Sequence, residues 1–328
     1  MKRFSRHWFV TFLLTALLTV LPMVAGAAIK AGFGAGGYVF LELDGMPMGP
    51  LTSFEGGLPY AEMVPIPLGP NAEQQKRVGS VKYADITVTF GNGMAKPLYQ
   101  WLQDTLAKRT TAKSGAIIFV DQNYNEIKRL VFVNALIKEI GLPALAASDG
   151  KAHFSFTLKL SPEFTRPESG KGGKVAAELG PKQKALMVAY YRLTMPGIDG
   201  RWVNRIELPT LKIKFSTESH GQQRLPMRTV AAMEYTDLVI EMPDSQAQGL
   251  GEWVNDFLIK GNNGPGKERA ATIELLDPSL QVPLMTINLS NLGILKLEAS
   301  KYGPGLESQR QIRATSYCGG VQFNFTGK

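Results

Sequence analysis

The feature that most constrains this chain is an internal echo. Tyr83-Ala84-Asp85-Ile86 returns as Tyr235-Thr236-Asp237-Leu238, and Trp101 returns as Trp253. Both pairs are displaced by the same interval, 152 positions, so neither copy needs a gap between tyrosine and tryptophan. A repeat this long points to a duplicated domain rather than a short solenoid unit.

The repeated segment has a strand-then-helix pattern. Over residues 81–90, Lys82, Ala84, Ile86, Val88 and Phe90 alternate with Val81, Tyr83, Asp85, Thr87 and Thr89, which predicts one strand with the first set inward. Pro97 suits a first helical turn. Leu98, Trp101, Leu102 and Leu106 then fall on one helical face, and Leu250, Trp253, Val254, Phe257 and Leu258 repeat that stripe. Residues 38–43, 116–120, 130–137, 153–160, 206–215, 230–242, 271–276, 284–289, 294–299, 311–318 and 321–325 read as further strand regions. Prolines at 59, 65, 67 and 70 disfavour a central strand and suit an edge or projecting loop. Residues 162–184 carry Pro, Gly, Lys and Glu with little apolar content and read as a linker. Each copy is thus mainly β with one conspicuous helix, which predicts an antiparallel barrel or sandwich covered on one side by that helix.

The first residues have a targeting pattern. Lys2, Arg3 and Arg6 precede an apolar run at 9–21, and Ala25-Gly26-Ala27 offers a small-residue cleavage site. The run is shorter than the roughly 20 residues of a spanning helix. Stretched to Ala28 it could serve as an uncleaved anchor; the small-residue site favours a signal peptide over residues 1–27. An exported protein, periplasmic or extracellular, is expected. Residues 28–328 are long enough for two domains at roughly 150 residues each. The formal charge of +8 includes the three leader cations, and no dense basic stripe interleaved with aromatics marks a nucleic-acid surface.

No catalytic, cofactor-binding or metal-ligating constellation emerges from the sequence. Cys318 is the single cysteine, so the chain cannot staple itself, and a buried apolar thiol in a strand is expected. Beyond the leader only His153 and His220 remain, too few and too distant for a transition-metal site. Residues 32–37 match G-x-G-x-x-G by letter, but a leader precedes and a strand follows where a dinucleotide site needs strand, then helix. Residues 261–267 have P-loop-like glycines and a lysine, yet Glu268 stands where Ser or Thr would bind magnesium. Asp85 and Asp237 sit at equivalent repeat positions, which suits a structural or contact role better than a catalytic pair. No enzyme, cofactor or metal is expected.

One resemblance is specific. The opening Tyr38-Val39-Phe40-Leu41-Glu42-Leu43-Asp44-Gly45, the segment Phe54-Glu55-Gly56-Gly57-Leu58, the run from Arg77 through Lys82-Tyr83 to Ile86-Thr87, and Leu98-Tyr99-Gln100-Trp101 together resemble the tail tube proteins of contractile phages and phage-like injection systems. Ile117-Ile118-Phe119-Val120-Asp121 and Phe132-Val133-Asn134-Ala135 are similar to the family's later strands. The second copy departs further: Met233-Glu234-Tyr235 keeps the tyrosine but lacks the Gly and Lys, and the leader is foreign to the family. The resemblance implies two tandem tail-tube-like domains, 28–165 and 188–328, joined by a linker at 166–187. It implies β-barrel domains packed in six-membered rings that stack into a hollow tube, with a loop near residues 58–76 bridging neighbouring rings. Three two-domain chains would complete one ring, and six would make a double ring. The partners implied are further copies of this chain and other components of a tail-like secretion or injection apparatus. The alternatives are a ring-shaped adaptor that does not polymerise, and a periplasmic ligand-binding module reusing the fold.

Overall fold

The computed structural model describes residues 37–66, 75–175, 185–218, 227–301 and 309–325. The expected signal peptide, most of the 32–37 glycine run, and residues 67–74 of the projecting loop lie outside the described residues.

The first half opens with β1 (Tyr38–Leu43), β2 (Met46–Leu51) and β3 (Ser53–Gly56). β4 (Pro59–Ile66) and β5 (Gln75–Tyr83) pair only with each other among the described residues. Then come β6 (Ile86–Phe90), helix α1 (Lys96–Leu106), β7 (Lys113–Val120), the long β8 (Glu126–Gly141), the short β9 (Leu145–Ala146), β10 (Phe156–Ser161) and β11 (Phe164–Ser169). The second half runs β12 (Tyr191–Thr194), β13 (Arg205–Glu207), β14 (Leu211–Glu218), β15 (Met227–Tyr235), β16 (Leu238–Pro243), α2 (Gln248–Val254), β17 (Arg269–Leu276), β18 (Pro283–Ala299), β19 (Gln311–Tyr317) and β20 (Gly320–Phe325).

The protein is mainly β, all named pairings are antiparallel, and the sheets wrap into a nearly closed barrel. In the first half the strand order is β2-β1-β7-β8-β10-β6-β3, with β11 also on β8; in the second it is β12-β17-β18-β19-β16-β13, with β9 of the first half at its end and β20 also on β18. The two orders match except for β2, which has no counterpart in the second half among the described residues.

Each half has one strand that serves two layers. The first part of β8 pairs with β7 and β11, and its last part, Leu136–Gly141, pairs with β10. β18 does the same, with β17 and β20 first and β19 last. The change of layer falls at Asn134 (φ 48°) and Asn291 (φ 56°). Asparagine tolerates this left-handed conformation better than most side chains. A local bend of this kind lets a strand turn a sandwich corner.

The apolar core is contiguous through both halves. Ile86, Val88 and Phe90 are fully buried, as the alternation predicts. The strand expected over residues 81–90 is, however, two strands. It breaks at Ala84 and Asp85, where Ala84 N–H donates to the Leu58 carbonyl (3.0 Å) and Gly57 N–H to the Asp85 carbonyl (3.3 Å). Alternation survives across the break, so periodicity alone does not reveal it.

The α1 stripe is buried as expected. In the second half, Leu250, Trp253 and Phe257 are buried, but residues 255–259 form a wider π-type turn, which leaves Leu258 38% exposed and Ile259 75% exposed. The wider turn changes the angle per residue and rotates the stripe off its face. The expected linker at 166–187 is corrected at its start. Residues 166–169 continue β11, where Thr165 is buried and its hydroxyl donates to the Gly57 carbonyl (2.6 Å).

Gly56 is a position that only glycine fits. Its φ is +90°, and an added Cβ would lie 1.9 Å from the Asp85 carbonyl oxygen. Gly56→Ala should therefore lower stability by about 2 kcal/mol through backbone strain. Equilibrium urea unfolding at fixed chain concentration checks this; an unchanged midpoint would refute it.

Candidate assembly surface

The most distinctive surface is the β4–β5 hairpin. It belongs to neither large sheet. Pro59 and Pro65 lack the N–H that a central strand must donate, which keeps this segment at an edge. Tyr60 (49% exposed), Met63, Val64, Val78 (79%) and Val81 present apolar side chains to solvent. Lys82 and Glu62 form a cross-strand ion pair at 2.6 Å, and that contact holds the lysine pKa above its ordinary value. An exposed apolar hairpin of this size is the kind of patch that marks a protein contact.

Its counterpart in the second half is covered at its base. β14 and β15 form the equivalent hairpin, but the base of β14 joins β8, with Leu211 opposite Ile140 and Lys212 opposite Glu139. Leu211 and Ile213 are buried there. Arg228, on β15, donates to the Ser161 carbonyl (2.8 Å), to Ser161 Oγ (3.2 Å) and to the Asn134 carbonyl. Burial lowers the Arg228 pKa, and the charges of Glu163 and Asp85 oppose that shift. On the other side of the joint, Gln103 Nε2 of α1 donates to the Phe323 carbonyl of β20 (3.0 Å), and the Tyr99 and Phe325 rings approach to 4.4 Å. β9 adds a short pairing to β13.

The motif residues fall as follows. Asp85 pairs with Lys138 at 2.7 Å, and Asp237 lines a shallow polar concavity with Glu241 and Arg313; both sit in breaks between strands. His153 is exposed and makes an isolated bridge to Met187. Cys318 is buried, but in the turn between β19 and β20 rather than in a strand; burial raises its thiol pKa, and Sγ donates to the Gly320 carbonyl (3.3 Å). No group of three His, Cys, Asp or Glu side chains converges as a metal site among the described residues. No described helix is long and apolar enough to cross a membrane.

Sequence reasoning missed Arg228, Gln103 and the charged cluster around Arg129. The partners of Arg228 and Gln103 lie 67 to 220 positions away, so no local pattern announces them. The αL asparagines could have been found, because Asn134 and Asn291 recur at nearly the repeat interval.

Residues 50–163 match the family described as T4-like virus tail tube protein gp19, so the tail-tube resemblance read from the Tyr83 and Trp101 motifs is shown over that stretch. Solved structures similar to this chain include the anti-feeding prophage baseplate (14% identity, 42% of this chain and 93% of that one, TM-score 0.35). They also include the PVC sheath-tube complex of an extracellular contractile injection system (15%, 43% and 92%, TM-score 0.35) and Hcp1 from Flavobacterium johnsoniae (12%, 42% and 95%, TM-score 0.25). No curated protein matches the chain.

Proposed function

We propose that this chain is an exported structural subunit made of two tail-tube-like units, residues 28–169 and 188–328, and that three chains complete a six-unit ring. The ring, or a tube of stacked rings, belongs to a phage-tail-like secretion or injection apparatus. The observation that carries this reading is the matching order of seven strands in each half, one of which contains the tail tube match. The leader pattern supports export. Closed cyclic assembly satisfies sheet edges between units rather than leaving them open. The role is structural rather than enzymatic.

A single, non-stacking adaptor ring is the second reading. It is favoured by the unlikeness of the two hairpins, since the base of β14 pairs with β8 whereas β4 and β5 pair only with each other among the described residues.

Light scattering combined with negative-stain microscopy of residues 28–328 tests the proposal. The expected particle contains three chains around a central hole. Stacks of such particles select the tube, and single rings select the adaptor. A monomer at high concentration refutes both.

A further inference from the structure

The joint between the two halves carries a pattern that the chain's two ends are left to complete. Register fixes the correspondence. Leu158 faces Ile140 and Lys159 faces Glu139 in the first half; Ala314 faces Leu297 and Thr315 faces Lys296 in the second. Both ladders then slip by one residue at the same place, past Lys138 and past Leu295. The strip of β8 that receives β14 is therefore matched on β18 by Lys296 and Leu297. The repeat interval likewise matches Leu211 and Lys212 of β14 with Pro59 and Tyr60 of β4.

At the internal joint these strips cover each other; at the ends they are bare. Ile140 is buried, whereas its match Leu297 is only half-buried and its neighbours Lys296, Glu298, Ala299 and Ser300 are exposed. Among the described residues the last part of β18 pairs only with β19, so one edge of that ladder has no neighbour. Leu211 is buried, whereas β4 is exposed along nearly its whole length. The helices repeat the contrast. Leu106 near the end of α1 is buried and lies with Gln103 and Ala107 in a groove against β20. Leu258, the position matching Leu106 after α2, is 38% exposed.

We infer that the β4–β5 hairpin of one chain docks on the open edge of β18 of a second copy, with Tyr60 opposite Lys296. The end of α2 in that second copy covers β11 of the first. The inference rests on the ring reading above and assigns its seam. The occupant is a second copy because the chain already makes this contact once, between its own halves, with the same strands in the same register. Hairpin and acceptor lie on different surfaces, so the contact is heterologous, and heterologous contacts close into rings when the rotation permits. Pro59 contributes only a carbonyl, as a proline at the first residue of an edge strand should, which leaves Tyr60 as the first donor. Residues directly opposite across an antiparallel pair have Cβ atoms about 5 Å apart, within reach of a short thiol linker.

The test is a Tyr60→Cys and Lys296→Cys double variant of residues 28–328, treated with a short thiol cross-linker and compared with each single variant. Both sites are exposed, and buried Cys318 serves as an internal control. The expected result is covalent species of two and three chains from the double variant only. A cross-link confined to a single chain would overturn the seam. So would a three-chain particle, seen by scattering, that fails to cross-link; that outcome leaves the ring reading standing. A particle of one chain overturns both. Independently, Leu258→Glu should raise the concentration for half-assembly by about tenfold or more, because a charge would be forced into the covered seam. An unchanged assembly curve counts against the seam even if the cysteine variant misfolds.

Discussion

Arg129→Ala should lower stability by roughly 3–5 kcal/mol, the cost of leaving charge buried without its partner. Arg129 lies inside the first half with its side chain almost wholly covered. Its Nε donates to Glu126 Oε1 (2.6 Å), Nη2 to Glu126 Oε2 (3.0 Å) and Nη1 to Glu42 Oε1 (3.2 Å). The guanidinium thus binds one carboxylate bidentately and ties β8 to β1 through the other. Removing it strands Glu126, itself 8% exposed, and Glu42. Urea unfolding at fixed chain concentration measures the loss; a change below about 1 kcal/mol, the scale of an exposed pair, would refute it. Acid should act on the same cluster. The Arg129 hydrogen bonds hold the Glu126 carboxyl below its ordinary pKa, with further lowering from Lys171. Its stabilising contribution is complete above the unfolded value of about 4.3 and disappears as pH falls through the depressed folded value. The Arg129→Ala variant should show a flatter loss of stability in that acid window.

Trp101→Ala should cost about 3–5 kcal/mol, as large-to-small changes in a packed core do. Trp101 is 1% exposed and anchors α1 to the first-half core. Trp253→Ala should cost a similar amount, since Trp253 is 2% exposed. The two tryptophans separate when only the indole N–H is removed. Trp101 Nε1 donates to the Thr111 carbonyl (2.9 Å), so Trp101→Phe should lose a further ~0.5–1.5 kcal/mol for that hydrogen bond beyond its packing change. Trp253 Nε1 is buried with no hydrogen-bond partner among the described residues, and its ring faces the Arg269 guanidinium at 4.5 Å. Trp253→Phe should therefore be the milder of the two. Equal losses from both phenylalanine variants, read by thermal unfolding, would contradict this assignment.

The parts of the fold that were legible in sequence are those where one face is buried along an unbroken element. Ile86, Val88 and Phe90 declared β6, and Leu98, Trp101, Leu102 and Leu106 declared α1, because a core-facing stripe has a period. The illegible parts are joints. The break at Ala84–Asp85 depends on bonds to Leu58 and Gly57, which no alternation encodes. The π-type turn after Val254 shifts the stripe by a fraction of a turn, too little for a pattern of five residues to register. β11 hides in a polar stretch because only Thr165 is buried, while Arg166 and Glu168 pair with each other on the opposite face beside half-buried Phe164. The hairpin surface was half legible: its prolines excluded a central strand, but its bareness, set against the covered β14–β15 pair, needed coordinates.

The two-layer strands have a mechanical consequence. β8 and β18 each run without interruption from one layer to the other, so the layers are linked by backbone covalent bonds as well as by packing. Ladder bonds lie perpendicular to the strand. A pull along such a strand loads many of them together in shear, whereas a pull across it would unzip them one at a time. Force entering at the β14 base reaches β8 within three residues of its C-terminal end and then travels along its length toward β7 and β11. The bends at Asn134 and Asn291 are the points where that load changes direction, and they would be the first places to yield under traction.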